Sequence, residues 1–311
     1  QFCWLNTRKP LNLQAEIASH ETLPLAALLE DAEQRLLDRE HPASYREFTH
    51  LLGCMRTPQS AADAAAASKV ALRLCQRLYG DARSFEALPF ADANLSLVAS
   101  IPDTTARRMA HTACGLLLAD TADIAGAIEH HAEALRLAAA EDDHVAMSRV
   151  WNNIGLAFCV SGNFSLAASC FRRVFALLNS ESAPVFSRYT SYGNLAHCLY
   201  HLDEITEGIH FARQALTEMT PEFFLQDPHS AVLLHRNCIR LYLAAGNMQQ
   251  AKVHVEQLQK LLENIPSPRG AIAAATSQAA YEMMMGEHDI GLTRLDQALV
   301  QARALPATLR D

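Results

Sequence analysis

The sequence lacks the features that mark a membrane-spanning, secreted or nucleotide-binding protein. It has no run of about 18 apolar residues and no secretory signal peptide, so we predict a cytoplasmic protein without membrane contact. Glycine and proline number only 12 each among 311 residues, and no Gly/Ser-rich linker divides the chain. A glycine-rich phosphate loop and a Gly-x-Ser-x-Gly nucleophile elbow are both missing, and no pair of carboxylates stands out. We therefore predict no catalytic residues and no cofactor.

An excess of positive charge is missing as well. Asp and Glu total 34 against 26 Lys and Arg, which gives a formal net charge of −8. General binding to nucleic acid phosphates is therefore not expected, although a local basic patch remains compatible with this total. Hydrophobic residues, by contrast, make up 50% of the chain, which is ample material for a core.

One helix-hairpin pattern is present in five copies. The clearest copy places small and apolar residues on one side of each of two helices that are separated by a turn. Its residues are Trp151, Ile154, Gly155 and Phe158, then Gly162 and Asn163 at the turn, then Ala167 and Phe171. The other copies start at His111, Tyr192, His235 and Ala275, at intervals of 40 to 43 residues. Such periodicity predicts a repeat architecture.

The repeats predict the positions of ten helices and of the helix crossings. The helix pairs are 104–120 with 123–140, 143–161 with 164–179, 185–202 with 204–219, 228–245 with 248–264, and 269–285 with 288–304. Small residues recur at the position of Gly155 (Gly115, Ala196 and Ala279) and five residues past the turn (Ala127, Ala167, Gly208, Ala251 and Gly291). Because two helices approach closely only where one lacks a bulky side chain, these positions predict helix crossings.

This pattern resembles the tetratricopeptide repeat (TPR) family over residues 104–304, most strongly at Trp151–Phe171. The family's usual period of about 34 residues is exceeded here, and the longer repeats are similar to those of sensor regions in bacterial diguanylate cyclases (GGDEF) and in maltose-activator-like LuxR-superfamily regulators. The resemblance implies an all-α right-handed superhelix, a solenoid of TPR-like hairpins. It also implies that the first helix of each pair lines an inner groove.

The remaining chain is predicted to complete the solenoid. Residues 1–103 are expected to form an atypical helical extension or cap, with helices near 23–39, 43–56 and 59–79 and an ambiguous stretch at 84–100 that contains Pro89. A weak further copy of the repeat surrounds Leu74. Residues 305–311 are expected to be a tail. Because the chain starts without Met and stops at Asp311, we expect it to be part of a longer protein that includes an output domain.

Cysteine and histidine do not form a recognisable metal site in the sequence. None of the eight cysteines forms a Cys-x-x-Cys pair. Cys114 and Cys238 occupy a predicted core position, so we interpret the cysteines as small buried apolar residues, as is usual in a reducing cytoplasm. Among the 14 histidines, His197 and His201 share one helix face and are a possible two-ligand metal site. Their placement on the surface or in the groove is the alternative that we favour, so no metal is predicted.

A ladder of asparagines is the clearest candidate for ligand contact. Asn153, Asn194 and Asn237 occupy one position of three consecutive repeats, although only 11 of the 311 residues are Asn. In TPR proteins that bind extended peptides, Asn at this position holds the peptide backbone, and the resemblance implies the same role here. The alternative is that each Asn bonds the neighbouring helix and only sets the pitch of the superhelix.

The same register places basic and polar residues around the ladder and no acidic ones. These residues are Arg149, Asn152, His197, His201, Arg236 and Arg240. Arginine suits bidentate recognition of carboxylate or phosphate. We therefore predict a groove that binds an extended, partly acidic peptide, a protein partner or a small anion, unless these arginines pair with acids on adjacent helices.

The function that these features favour is a TPR-type scaffold that binds a protein or peptide and acts as the sensory or regulatory region of a larger bacterial signalling protein. A stand-alone adaptor and the ligand-sensing domain of a transcriptional regulator are the alternatives. An enzyme is not expected within this chain. Apolar residues near the last turn, such as Met284 and Leu299, leave a homodimer or a covering segment open.

Overall fold

Helices account for nearly all of the structure. A computed structural model describes residues 60–80, 83–178, 185–218, 228–264 and 268–304, and within these ranges it contains twelve α-helices and no β-strand. The helices are α1 (Ala61–Gly80), α2 (Ser84–Val98), α3 (Thr104–Asp120), α4 (Ile124–Ala140), α5 (His144–Val160), α6 (Phe164–Leu177), α7 (Val185–His201), α8 (Ile205–Glu218), α9 (Pro228–Ala244), α10 (Met248–Asn264), α11 (Pro268–Met284) and α12 (His288–Ala304). They form six consecutive hairpins, so the predicted all-α repeat fold is confirmed.

Local signals set the helix boundaries. Asp or Asn precedes several helices and accepts a hydrogen bond from the backbone N–H three residues later, which satisfies a donor that the first turn leaves unpaired. These capping residues are Asp103, Asp123, Asp143, Asn163 and Asn247. The turn between α5 and α6 requires a residue in the left-handed region. Gly162 adopts φ 74° there, which costs little because glycine has no Cβ. The predicted ends of the ten repeat helices therefore agree closely with the observed ones.

Close helix crossings occur at the predicted small residues. A Cβ atom added to Gly155 would lie 2.6 Å from the ring of Phe171, and one added to Gly115 would lie 2.5 Å from the ring of His131. Real side chains do not approach that closely, so each glycine lets the second helix of its hairpin pack directly on the first. Gly208 likewise admits Leu241 of the next repeat. The predicted crossings are confirmed at these positions.

The hairpins stack so that the first helices adjoin one another. The first helices α1, α3, α5, α7, α9 and α11 each contact the next in this series. The second helices instead contact the first helix of their own hairpin and that of the following one. Apolar side chains fill the junctions, as where Phe171 of α6 packs with Leu195 and Leu199 of α7. One surface of the solenoid is therefore made of first helices alone.

The hairpin of α1 and α2 extends this array at its start. Leu74 and Leu78 of α1 are fully buried and pack with Cys114 and Leu117 of α3. The ambiguous stretch around Pro89 is helical, with the proline inside α2. The predicted helices at 23–39 and 43–56, Cys3, Cys54, and the 305–311 tail lie outside the described residues. The division of the chain at residue 103 stays a prediction.

The described cysteines are reduced and mostly buried. Cys75, Cys114, Cys170, Cys198 and Cys238 are buried, which confirms their interpretation as small core residues. Burial raises the pKa of the Cys75 thiol to about 12.

One thiol pair joins two repeats. The Sγ atoms of Cys159 in α5 and Cys198 in α7 lie 3.5 Å apart, so these two free thiols are in contact across the junction of repeats two and three. Separately, among the described helices none has both the length and the apolar character needed to cross a membrane.

Candidate ligand-binding groove

Two cavities open on the surface formed by the first helices. The C-terminal cavity has a volume of about 370 Å³ and lies between α7, α9 and α11. Its lining residues are Tyr200, Ile239, Arg240, Leu243, Ala244, Thr276, Ser277, Ala280 and Met284. The N-terminal cavity has a volume of about 190 Å³ and lies between α1, α3 and α5, with Arg108, Met109 and Arg149 among its lining residues. We call the surface that contains both cavities the groove.

Two members of the asparagine ladder bond neighbouring first helices. Asn194 Nδ2 of α7 donates to Asn152 Oδ1 of α5 at 3.2 Å, and Asn237 Nδ2 of α9 donates to the carbonyl oxygen of Gly193 at 3.2 Å. Ser191 Oγ donates to the same oxygen of Asn152, also at 3.2 Å. These bonds are the geometry of the pitch-setting alternative. Ligand contact by the ladder stays a prediction.

Asn153 differs from the other ladder residues. Its side chain is half-buried and has no hydrogen-bond partner within the described ranges, whereas Asn237 is only 5% exposed. Within the described ranges both polar groups of the Asn153 amide therefore lack a partner, whereas in Asn237 it is Oδ1 that lacks one while Nδ2 donates to Gly193. Asn152, one residue earlier, is occupied by its bonds to α7.

Four predicted site residues come together next to the C-terminal cavity. His197 and His201 are one turn apart on α7, with ring centroids 4.6 Å apart, and Arg236 and Arg240 are one turn apart on α9. Both arginines lie close enough to His197 to lower its pKa by repulsion. We call these four residues the cationic cluster. The guanidinium of Arg240 lies 5.9 Å from the ring centroid of Tyr200, in a cation–π arrangement.

No acidic residue of the described part neutralises the cationic cluster. Neither Arg236 nor Arg240 makes an ion pair there, and the Nε of Arg236 is buried without a hydrogen-bond partner among those residues. Burial, followed by repulsion from Arg240, lowers the pKa of Arg236 to about 10, so the side chain still carries its charge at pH 7. We considered that these arginines could pair with acids on adjacent helices. Among the described residues, no acid pairs with Arg236 or Arg240.

The two histidines of the cluster are neutral near pH 7. Burial lowers the pKa of His197 to about 4, and repulsion from His201, Arg236 and Arg240 adds to the effect. Burial and the same arginines also lower the pKa of His201, whose ring stacks on Phe164 with centroids 4.1 Å apart. The positive charge of the cluster at neutral pH therefore comes from the arginines.

A metal site at these histidines has no further protein ligand in the part of the chain that the structure describes. No group of three His, Cys, Asp or Glu side chains there is arranged to hold a metal ion. Asp203, the nearest acid in sequence to His201, is exposed and lies in the turn after α7 with φ 60°.

Arg149 is separated from the other predicted arginines. It is exposed and lines the N-terminal cavity, near Arg108. Arg108 Nη2 pairs with Asp143 Oδ2 at 3.3 Å, so this end of the groove contains an acid that the other end lacks. The predicted site residues therefore form two groups rather than one.

Sequence reasoning missed the apolar lining of the C-terminal cavity. Ile239 and Leu243 are core-type residues by their sequence positions, and Thr276 adjoins the ladder position held by Ser277. Their spacing in the sequence could have indicated the cavity. Leu243 follows Arg240 by three residues, so the two share a face of α9. Ala280 and Met284 follow Thr276 by four and eight residues, so these three share a face of α11.

Solved structures with the same arrangement of helical hairpins include Rap proteins. The apo form of RapI has a TM-score of 0.66 at 10% identity, covering 90% of this chain and 98% of that one. Aspartyl phosphate phosphatase F from Bacillus subtilis has a TM-score of 0.65 at 16% identity, covering 96% and 76%. The Rap conjugation gene regulator of plasmid pLS20, in complex with a Phr peptide, has a TM-score of 0.64 at 12% identity, covering 89% and 83%.

These similarities establish the fold, which is a TPR-like helical repeat. No protein-family model matches the sequence, and no curated protein sequence matches it.

Proposed function

We propose that this chain is a TPR-like scaffold whose groove binds an extended, partly acidic peptide segment. The observation that carries the proposal is the cationic cluster: Arg240 lines the C-terminal cavity, Arg236 lies one turn before it on α9, and no acid in the described ranges pairs with either. In a chain of net charge −8, a cation that is half-buried and unpaired is costly to keep. A ligand carboxylate offsets that cost when it binds.

The chemistry of the cluster favours carboxylate over a neutral ligand. A guanidinium presents its N–H groups in a planar fork that matches two carboxylate oxygens, and such charge-assisted hydrogen bonds are worth roughly 1.5–3 kcal/mol each. Because His197 and His201 are neutral near pH 7, they add hydrogen-bonding nitrogens rather than charge.

The shape of the groove favours an extended chain over a compact small molecule. The first helices carry two separate cavities, one lined by α1, α3 and α5 and the other by α7, α9 and α11. The half-buried amide of Asn153 lies on α5, in the middle part of this series of helices. A peptide in extended conformation presents backbone N–H and C=O groups along its whole length, and Asn supplies one donor group and one acceptor for them. The pLS20 Rap regulator, which has this fold, is in complex with a peptide.

We further propose that peptide binding regulates an attached or associated signalling protein in the bacterial cytoplasm. Small changes at each hairpin junction add along a solenoid. The bonds from Asn194 to Asn152 and from Asn237 to Gly193 lie at successive junctions, beside the groove. A ligand that competes for these amides alters the angle between repeats, and the change accumulates toward the ends.

Calorimetric titration tests the proposal. The probe is a short, end-blocked peptide of alternating glutamate and alanine, compared with the same peptide containing glutamine. We expect the glutamate peptide to bind at least about tenfold more tightly, and Arg240→Ala to remove most of that difference. Asn194→Ala reports separately on the ladder.

Lys252→Ala is the matched control, because it removes one positive charge from an exposed position on α10, the second helix of the same repeat. It is expected to leave the affinity unchanged. Equal losses from Arg240→Ala and Lys252→Ala would show a general charge effect, and equal affinity for the two peptides would contradict the proposal.

A further inference from the structure

We propose that the C-terminal cavity binds a bulky apolar side chain of the ligand, two residues from an acidic side chain held by the cationic cluster. This inference rests on the proposed function and narrows it, from any acidic peptide to one with a particular pair of residues. The juxtaposition of an apolar cavity and an unpaired cationic cluster, joined through Arg240, carries it.

The cavity is chemically suited to an apolar group. Its volume of about 370 Å³ is within the range of about 300–1,000 Å³ that ligand pockets occupy. Leu243, Ala280 and Met284 supply apolar surface, and Arg240 is the single charged residue among its lining side chains.

Two of the three hydroxyl groups in the lining, those of Thr276 and Ser277, already donate hydrogen bonds within the protein. Thr276 Oγ1 donates to the carbonyl oxygen of Ile272 at 2.9 Å, and Ser277 Oγ donates to that of Ala273 at 2.7 Å. Because both hydroxyl groups donate to backbone carbonyls within α11, they keep these hydrogen bonds when an apolar ligand group enters the cavity.

Apolar surface at the cavity is exposed and accessible to a ligand group. Met284 is 57% exposed although it lines the cavity. Methionine is flexible and polarisable, so it adapts to side chains of different shape. Tyr200 lies across the cavity on α7 and contributes a ring face that also contacts Arg240.

The cavity and the cationic cluster are adjacent. Arg240 belongs to both, and the ring of His201 lies 5.2 Å from that of Tyr200, which lines the cavity. A carboxylate on Arg240 and an apolar group in the cavity are therefore neighbours. In an extended chain, residues i and i+2 point to the same side and are roughly 7 Å apart, so such a pair can place its two side chains on neighbouring subsites.

The N-terminal cavity does not offer the same combination. Its apolar lining includes Met109 and Val150, but its Arg108 is paired with Asp143. An acidic peptide that seats a carboxylate on Arg108 must displace that acid, and the other arginine of this cavity, Arg149, is exposed to solvent, which weakens its pairing with a carboxylate. The C-terminal end is therefore the part of the groove that we assign to the acidic and apolar pair.

End-blocked pentapeptides test the assignment by calorimetry on the full chain. The parent probe has glycine at both ends with glutamate, alanine and leucine between them, and a reversed probe has leucine, alanine and glutamate, because either chain direction fits. One comparison probe replaces leucine with serine, and another replaces glutamate with glutamine. We expect the serine probe to bind about tenfold more weakly than the better parent.

A cavity-filling variant supplies an independent readout. Ala280 is exposed and lines the cavity, so Ala280→Phe occupies the space while all four residues of the cationic cluster are retained. It is expected to abolish the preference for leucine over serine while the preference for glutamate over glutamine persists. Ala271→Phe, at an exposed position of the same helix away from the cavity lining, is the control and keeps both preferences.

Three outcomes separate the inference from the proposed function. A leucine preference that disappears only in Ala280→Phe supports the inference. Equal affinity for the leucine and serine probes, both tighter than the glutamine probe, overturns the apolar subsite and leaves the proposed function standing. No preference for glutamate in any probe overturns the proposed function, and the inference with it.

Discussion

The N-terminal and C-terminal ends of the groove are both built from first helices, but their arginines differ in whether an acid pairs with them. At the N-terminal end Arg108 lies against Asp143, the residue that also caps α5. At the C-terminal end no acid of the described part pairs with Arg236 or Arg240. The groove is therefore not uniformly basic. Its half-buried, unpaired arginines lie in repeat four, whereas Arg149 at the other end is exposed, and binding specificity is expected to follow the half-buried pair.

Charge reversal at Arg236 is expected to have the largest effect. Arg236→Glu removes one cation and places an anion beside Arg240, so the affinity for the alternating glutamate peptide should fall by about a hundredfold or more. Arg108→Gln removes a cation that is already paired and should change the affinity by less than about threefold. Calorimetry of both variants checks the difference, and similar losses in the two would mean that the ends of the groove do not differ.

Asn152→Ala is expected to weaken the junction between repeats two and three. The change removes the oxygen that accepts from Asn194 Nδ2 and Ser191 Oγ, so the free energy of unfolding should fall by about 1–2 kcal/mol. Urea unfolding measures it. Asn153→Ala is the matched control, and because its side chain makes no hydrogen bond within the described ranges its effect should stay below about 0.5 kcal/mol. Unchanged stability with weakened peptide binding would instead favour ligand contact by Asn152.

Asp143→Asn should make the N-terminal end resemble the C-terminal end. Asparagine caps a helix about as well as aspartate, so α5 keeps its first turn while Arg108 loses its partner charge. We expect the affinity of the N-terminal end for inorganic phosphate to rise by a few fold. Chemical shifts of the Arg108 Nε–H group during a phosphate titration report it. A shift of equal size in the unaltered protein would contradict the comparison.

The pH dependence of binding should be small near neutrality. A probe with cysteate in place of glutamate keeps its own charge throughout. Because burial and neighbouring cations lower the pKa of His197 to about 4, this histidine stays neutral between pH 8 and 6, and affinity should change by less than about twofold.

Protonation of His197 determines whether the peptide affinity rises or falls at lower pH. Protonation adds positive charge, so affinity should rise only as the pH falls toward 4. A rise centred near pH 6.5 that His197→Gln abolishes would contradict the lowered pKa of His197. Titrating His197→Gln, which cannot gain the charge, assigns the change to this residue.

Most of the fold was predictable because its determinants are local. Asn163 and Gly162 mark one turn through a cap and a left-handed backbone, and Gly155 marks a crossing because any side chain there would meet Phe171. The stretch around Pro89 was not predictable, since the proline argued against a helix that packing on α1 and α3 stabilises.

The candidate site was predictable only as far as the repeat register reaches. The register placed Arg236 and Arg240 on the inner surface. It did not show that Asp143 neutralises Arg108, or that Asn152 bonds Asn194, because each pairing depends on the angle between two particular hairpins. The apolar cavity was missed for the same reason, since it forms where α7, α9 and α11 diverge.

The contact between Cys159 and Cys198 has a practical consequence. The two sulfurs belong to neighbouring first helices and are 3.5 Å apart, so their separation depends on the angle between repeats two and three. A ligand that opens or closes that angle changes the rate at which a mild oxidant joins the thiols. The rate of disulfide formation between Cys159 and Cys198, measured by mass spectrometry without a label, would therefore report changes in the angle between repeats two and three.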